Sequence, residues 1–139
     1  MIILDTNILS ELMRPSPEAR VLVWMDGLHR SDIGITAISV AEILYGIGSL
    51  PDGKKKRRLF EAATTVFDEH FVDRIFAFDH FAAVEYADIV CQRDKLGTPI
   101  SAADAQIAGI CRFYSAGFAT RNTKDFENTG LLLINPWEA

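Results

Sequence analysis

The sequence predicts an α/β fold: a mostly parallel sheet of about five strands with helices on both faces. Three observations carry this. Short apolar runs alternate with stretches of helical period along the whole chain. No turn dipeptide joins two alternating runs, so no hairpin is signalled. There is no internal repeat, low-complexity tract or composition break, and 139 residues suit one domain spanning positions 1–139.

Ile2–Leu4 reads as a short buried strand, too apolar to be half-exposed, and it delivers Asp5. Thr6–Met13 forms a short helix that Pro15 and Pro17 interrupt. Pro17 is placed to open the next helix, with Val21, Trp24, Met25 and Leu28 at helical spacing across Glu18–Leu28. Asp32–Thr36 is the second strand, Ser39–Ile47 the helix after it and Gly48–Gly53 a turn-rich link. Lys54–His70 reads as a helix whose basic first turn opposes the helix dipole. Arg74–Phe78 is the third strand. Asp79 caps a helix that runs to about Leu96 and stops at Gly97. Thr98–Ile100 leads into a helix over Ser101–Tyr114, and Gly117–Thr120 and Leu131–Ile134 are the last two strands. Asn135-Pro136 closes the final strand.

A net charge of −5 argues against a nucleic-acid binder unless the acids surround a divalent cation or local basic patches steer a polyanion. No apolar run approaches the ~18 residues of a membrane span. Met1 leads straight into strand-like sequence without a basic leader, so a cytoplasmic protein is expected. Cys91 and Cys111 read as small buried thiols in a reducing compartment. His29, His70 and His80 lack ligand spacing and fall outside the expected site loops, which leaves Ser-His-Asp and Cys-His chemistry without support.

In open parallel sheets, ligands bind beyond the carboxyl ends of the strands. Asp5 follows the first strand directly, and Glu42 lies one turn into the helix after the second. Asp104 starts the helix after the Gly97-Thr98-Pro99 connector, and Thr120, Arg121, Asn122 and Asp125 follow the fourth strand. Converging carboxylates without cysteine or histidine make an all-oxygen site suited to Mg²⁺ or Mn²⁺. A bland reading stands beside this one. Ser39-x-x-Glu42 and Ser101-x-x-Asp104 are also capping boxes, and Asp5 can cap the short helix after it. Lys54-Lys55-Lys56-Arg57-Arg58 is either a solvated helix end or an RNA-backbone patch, and Arg121 and Lys124 border the expected site as candidate phosphate contacts. Gly48–Lys55 looks like a P-loop but lacks both the preceding strand and the final Ser/Thr. A phosphatase using Asp5 as nucleophile would carry a second acid two residues on, where Asn7 stands.

Leu4-Asp5-Thr6-Asn7 resembles the opening of PIN domains. Ile35-Thr36-x-x-Ser39-x-x-Glu42-Ile43-x-x-Gly46 and Gly97-x-Pro99-Ile100-Ser101-x-x-Asp104-x-x-Ile107-Ala108 resemble their second and third signatures. Ala119-Thr120-Arg121-Asn122-x-x-Asp125-Phe126 and Leu133-Ile134-Asn135-Pro136-Trp137 resemble the fourth and the ending. The match covers nearly the whole chain in order and is nearest to VapC-type toxins of the FitB-like branch. It implies a PIN-like three-layer α/β/α fold and a Mg²⁺- or Mn²⁺-dependent endoribonuclease. It also implies a VapB-like antitoxin partner and a homodimer, within a larger toxin–antitoxin assembly. Asp5, Glu42 and Asp104 match the three principal acids, and Thr6 and Asn7 become candidates for orienting Asp5. Asn122 stands at the fourth acidic position, with Asp125 three residues on as a substitute. That departure leaves one or two metals open. The rival reading is a non-catalytic PIN-like module that binds RNA or an antitoxin.

Overall fold

The computed structural model describes residues 1–139. Five strands, β1 (Ile2–Leu4), β2 (Ile33–Thr36), β3 (Ile75–Phe76), β4 (Gly117–Ala119) and β5 (Leu133–Ile134), form one sheet in the order β3-β2-β1-β4-β5. Every pairing is parallel, so the sheet is wholly parallel. The helices are α1 (Thr6–Leu12), α2 (Ala19–Asp26), α3 (Ala37–Gly48), α4 (Lys54–Thr65), α5 (His80–Lys95) and α6 (Ala102–Phe113).

Strand residues alternate between the two faces of a sheet. Leu4 joins Ile8, Val21, Ile35, Ile43 and Phe67 in one core, under α1 to α4. Ile3 joins Ile89, Ile107, Ile110, Phe118 and Phe126 in the other, under α5 and α6. The result is three layers with β1 at the centre. The α5–α6 pair packs closely because Gly109 has no side chain: a Cβ there would lie 2.7 Å from the Ala82 carbonyl oxygen.

The strand order reverses at β1: β2 lies on one side of it and β4 on the other. Such a switch point opens a crevice at the carboxyl ends of the two strands. Asp5 and Thr120 are the first residues beyond β1 and β4, and the Asp5 amide donates to the Ala119 carbonyl at 2.9 Å. The sheet therefore sets these two side chains next to each other.

Four local expectations are corrected. The third strand is two residues long because β2 turns into α3 at Ala37, leaving Ala77 and Phe78 without a ladder partner. The Lys54–His70 helix is α-helical only to Thr65, and a π-turn over Val66–His70 follows. The wider turn lets Phe67 and Phe71 both reach the core beside Ala63. The cap of α3 is Thr36, whose hydroxyl accepts from the Ser39 amide at 3.1 Å, so Ser39 is already the third helical residue and forms no capping box with Glu42. Cys111 is buried, but Cys91 is exposed, and neither forms a disulfide. No helix is long and apolar enough to cross a membrane.

Candidate active site

Asp5 is delivered by the end of β1 and is 8% exposed. Its Oδ1 accepts from the Thr6 amide at 2.7 Å, which also caps α1. Its Oδ2 accepts from the Thr120 hydroxyl at 2.7 Å and from Asn7 Nδ2 at 3.3 Å. Asn7 ties the β1 and β4 loops together, because its Oδ1 accepts from the Arg121 amide at 3.3 Å. Thr120 Oγ1 in turn accepts from the Asn122 amide at 3.0 Å. Burial pushes the Asp5 carboxyl up to about 6, against the Thr120 and Thr6 hydrogen bonds and with help from the charges of Glu42 and Asp104.

That balance makes Thr120 testable. A hydrogen bond to a carboxylate contributes about 1.5–3 kcal/mol, so Thr120→Val should raise the Asp5 pKa further, by roughly 1–2 pH units. Carboxyl carbon chemical shifts followed through a pH titration would measure it. An unmoved Asp5 would show that the hydroxyl does not hold the charged form.

Glu42 is exposed on α3. Thr6 Oγ1 lies 3.1 Å from Glu42 Oε1 and 3.0 Å from Ser39 Oγ. A carboxylate only accepts, so the Thr6 proton points to Glu42 and Ser39 supplies the other bond. Asp104 is the third residue of α6, whose cap is Ser101: the Asp104 amide donates to the Ser101 hydroxyl at 3.2 Å. Its side chain borders the crevice. Burial raises the Asp104 pKa, opposed by the Ser101 hydroxyl; the charge of Asp125 raises it further and that of Arg93 lowers it.

Asp5, Thr6, Asn7, Glu42, Asp104, Arg121 and Asn122 all border one crevice of about 520 Å³. Asp125 is exposed and outside that lining, although its charge reaches Asp104. Lys124, Lys54 and Lys56 lie outside it too; Lys56 is paired with Asp52 at 3.0 Å, and Lys55 borders a neighbouring groove shared with Thr6 and Glu42.

Sequence reasoning missed four residues that border the same crevice: Ser10, Glu11, Arg14 and Trp137. Glu11 is buried, and the Glu18 amide, followed by Arg14, holds its carboxyl below the usual range. Pro15 and Pro17 cannot donate, so the first amide beyond them closes onto this acid. The run of prolines was the available signal. Trp137 lies under the Arg121 guanidinium, with 4.8 Å from Cζ to the ring centroid, and this contact gives Arg121 a fixed place at the rim.

No three acids sit close enough to form a ready-made cage for an ion. Mg²⁺ does not need a cage: it keeps several waters and takes one or two carboxylates. An open, all-oxygen set in which Glu42 and Asp104 are felt by Asp5 fits such an ion.

Fold and site together define a class, a parallel α/β protein with an acidic, all-oxygen site at the switch point of its sheet. The chain belongs to the PIN-domain family, whose profile matches residues 2–131. It is 40% identical to the Toxin FitB of Neisseria gonorrhoeae over 137 residues, 99% of each chain. It is 36% identical to the VapC ribonuclease Y4jK of Sinorhizobium fredii over 138 residues, again 99% of each. The solved structure of FitAB bound to an IR36 DNA fragment superposes with a TM-score of 0.93 at 40% identity, covering 99% of this chain and 96% of that one.

Proposed function

We propose that this chain is a metal-dependent endoribonuclease and the toxin of a type II toxin–antitoxin module. It acts in the cytoplasm as one PIN-like domain over residues 1–139, pairs as a homodimer, and is neutralised by a VapB-like antitoxin. The observation that carries the reading is the junction at the switch point: Asp5 is locked to Thr120 at 2.7 Å, with Glu42 and Asp104 on the same crevice. The names of the Neisseria and Sinorhizobium relatives, toxin and ribonuclease, support it.

Asp5 and Asp104 would hold Mg²⁺ or Mn²⁺, with Glu42 completing the set. Such an ion, when bound, supplies Lewis-acid stabilisation of the phosphate oxygens and lowers the pKa of a bound water. Glu42 would either ligate the ion or take the proton of the attacking water, and its hydrogen bond from the Thr6 hydroxyl supports a carboxylate held in its charged form. Arg121, held by Trp137, supplies a positive charge for the scissile phosphate. Asn122 at the rim contributes an amide where a fourth acid would add negative charge, which favours a single tightly held ion. Lys55 extends the path for the RNA backbone along the adjoining groove.

The test is cleavage of total RNA by the purified protein with Mg²⁺ or with EDTA, beside Asp5→Asn. Cleavage is expected only for the wild type with metal. Equal cleavage in EDTA or by the variant would sink the reading, and no cleavage under any condition would favour the non-catalytic binding module.

A further inference from the structure

Arg93 lies in the last turn of α5 and is 6% exposed, yet it pairs with no carboxylate. Its guanidinium is spent on four neutral oxygens. Nε donates to the Thr98 carbonyl at 2.5 Å and lies 3.2 Å from the Thr98 hydroxyl. Nη1 donates to the Asp125 carbonyl at 3.0 Å and to the Glu127 carbonyl at 2.9 Å. Those acceptors belong to two segments far apart in sequence. Thr98 sits at the α5 terminus, where Gly97 adopts φ +74° and the Thr98 amide returns to the Arg93 carbonyl. Three residues later Ser101 starts α6 and presents Asp104. Asp125 and Glu127 belong to and follow the 3-10 turn Thr123–Phe126, which comes directly after Asn122 and is anchored below by Phe126 against Phe118.

We propose that Arg93 is a positioning residue: by clamping the Thr98 connector to the Asp125–Glu127 turn, it sets the spacing between Asp104 and the Asn122/Asp125 loop. This rests on the nuclease reading above. Arg93 does not border the crevice, so it acts through the two loops and touches no substrate. A buried charge with no carboxylate in direct contact is costly; the Arg93 charge reaches Asp104 only at longer range, and what the guanidinium secures here is the relative placement of two loops that repel each other through Asp104 and Asp125. The planar fork matters as much as the charge. Arginine carries five donors in fixed directions, whereas lysine is a point charge on a flexible stem and cannot hold both loops at once.

The experiment compares the wild type with Arg93→Lys, and with Val21→Ala as a destabilised control that lies outside the crevice lining and packs in the core on the opposite face from α5. Amide exchange in the metal-free protein is read at 101–104 and 124–127. Steady-state RNA cleavage is read against Mg²⁺ concentration. Arg93→Lys is expected to speed exchange in both segments, to lower kcat roughly 10–100-fold as loss of an outer orienting contact does, to raise the Mg²⁺ needed for half activity, and to leave the KM for RNA unchanged. Thr98→Val removes one of the four acceptors and should shift the same readouts by a few-fold, which keeps the clamp testable should Arg93→Lys not fold. Three results overturn the clamp: unchanged exchange in both variants, wild-type kcat and Mg²⁺ dependence in Arg93→Lys, or the same changes in Val21→Ala at equal Tm. A wild type that cleaves no RNA overturns the nuclease reading instead, so the two failures are told apart.

Discussion

Asp104→Asn is expected to lower RNA cleavage at saturating Mg²⁺ by roughly 10³-fold, because a positioned divalent ion supplies several kcal/mol of charge stabilisation and each 1.36 kcal/mol is tenfold in rate. The fold should survive. The Ser101 cap bonds the backbone amide of residue 104, and an asparagine keeps that amide. The substitution also removes a carboxylate that burial and the neighbouring Asp125 disfavour in its charged form. The metal-free variant should therefore be at least as stable as the wild type near neutral pH. Measuring kcat and Tm on the same preparation separates the cases. Lost activity with a retained Tm is the expected pair. Retained activity would remove Asp104 from the site, and a lowered Tm would make it a structural residue.

The contrast between Asp104 and Arg93 shows what the amino-acid sequence can and cannot disclose. Asp104 is readable because its neighbours are local: a connector, a capping serine and a helical period place it at the carboxyl edge of the sheet. Asp5 is readable for the same reason, as the residue on which an apolar strand ends. The parallel sheet follows from the alternation of strands and helices. Arg93, by contrast, reads as an ordinary cation at a helix C-terminus, where the dipole favours it anyway. Its function lies in carbonyls 32 and 34 residues away, and a carbonyl carries no sequence signature. Trp137 and Glu11 escape notice on the same grounds, since a residue from the chain's end and one from its first helix meet the site only after folding. The Ser39-x-x-Glu42 spacing misleads because the strand ends directly in the helix, so Thr36 takes the cap and frees Glu42 for the crevice.

Asp5→Asn should stabilise the metal-free protein at pH 7.5, and the sign follows from linkage. An unfolded aspartate titrates at 3.8, and burial lifts the folded Asp5 to about 6. Between those values the folded state binds more protons than the unfolded state, so stability falls as pH rises, and the full cost is present above about 6. A displacement of about two pH units corresponds to roughly 3 kcal/mol. Asparagine removes that cost and its amide oxygen can still accept from the Thr6 amide, while the bonds that Oδ2 accepts from Thr120 and Asn7 are given up and offset part of the gain. The Tm gain of the variant should therefore be largest above pH 7 and vanish near pH 4, where both side chains are neutral. Mn²⁺ should reverse the order. An ion that binds only the folded state stabilises by roughly 4.1 kcal/mol at a thousand times its Kd, more than the cost of the buried charge, and the wild type gains this while the variant largely does not. Melting curves at pH 4 and pH 7.5, each with and without Mn²⁺, test all four signs together. A variant that is less stable than the wild type at pH 7.5 without metal would mean that the Thr120 and Asn7 hydrogen bonds to Oδ2 outweigh the cost of the buried charge.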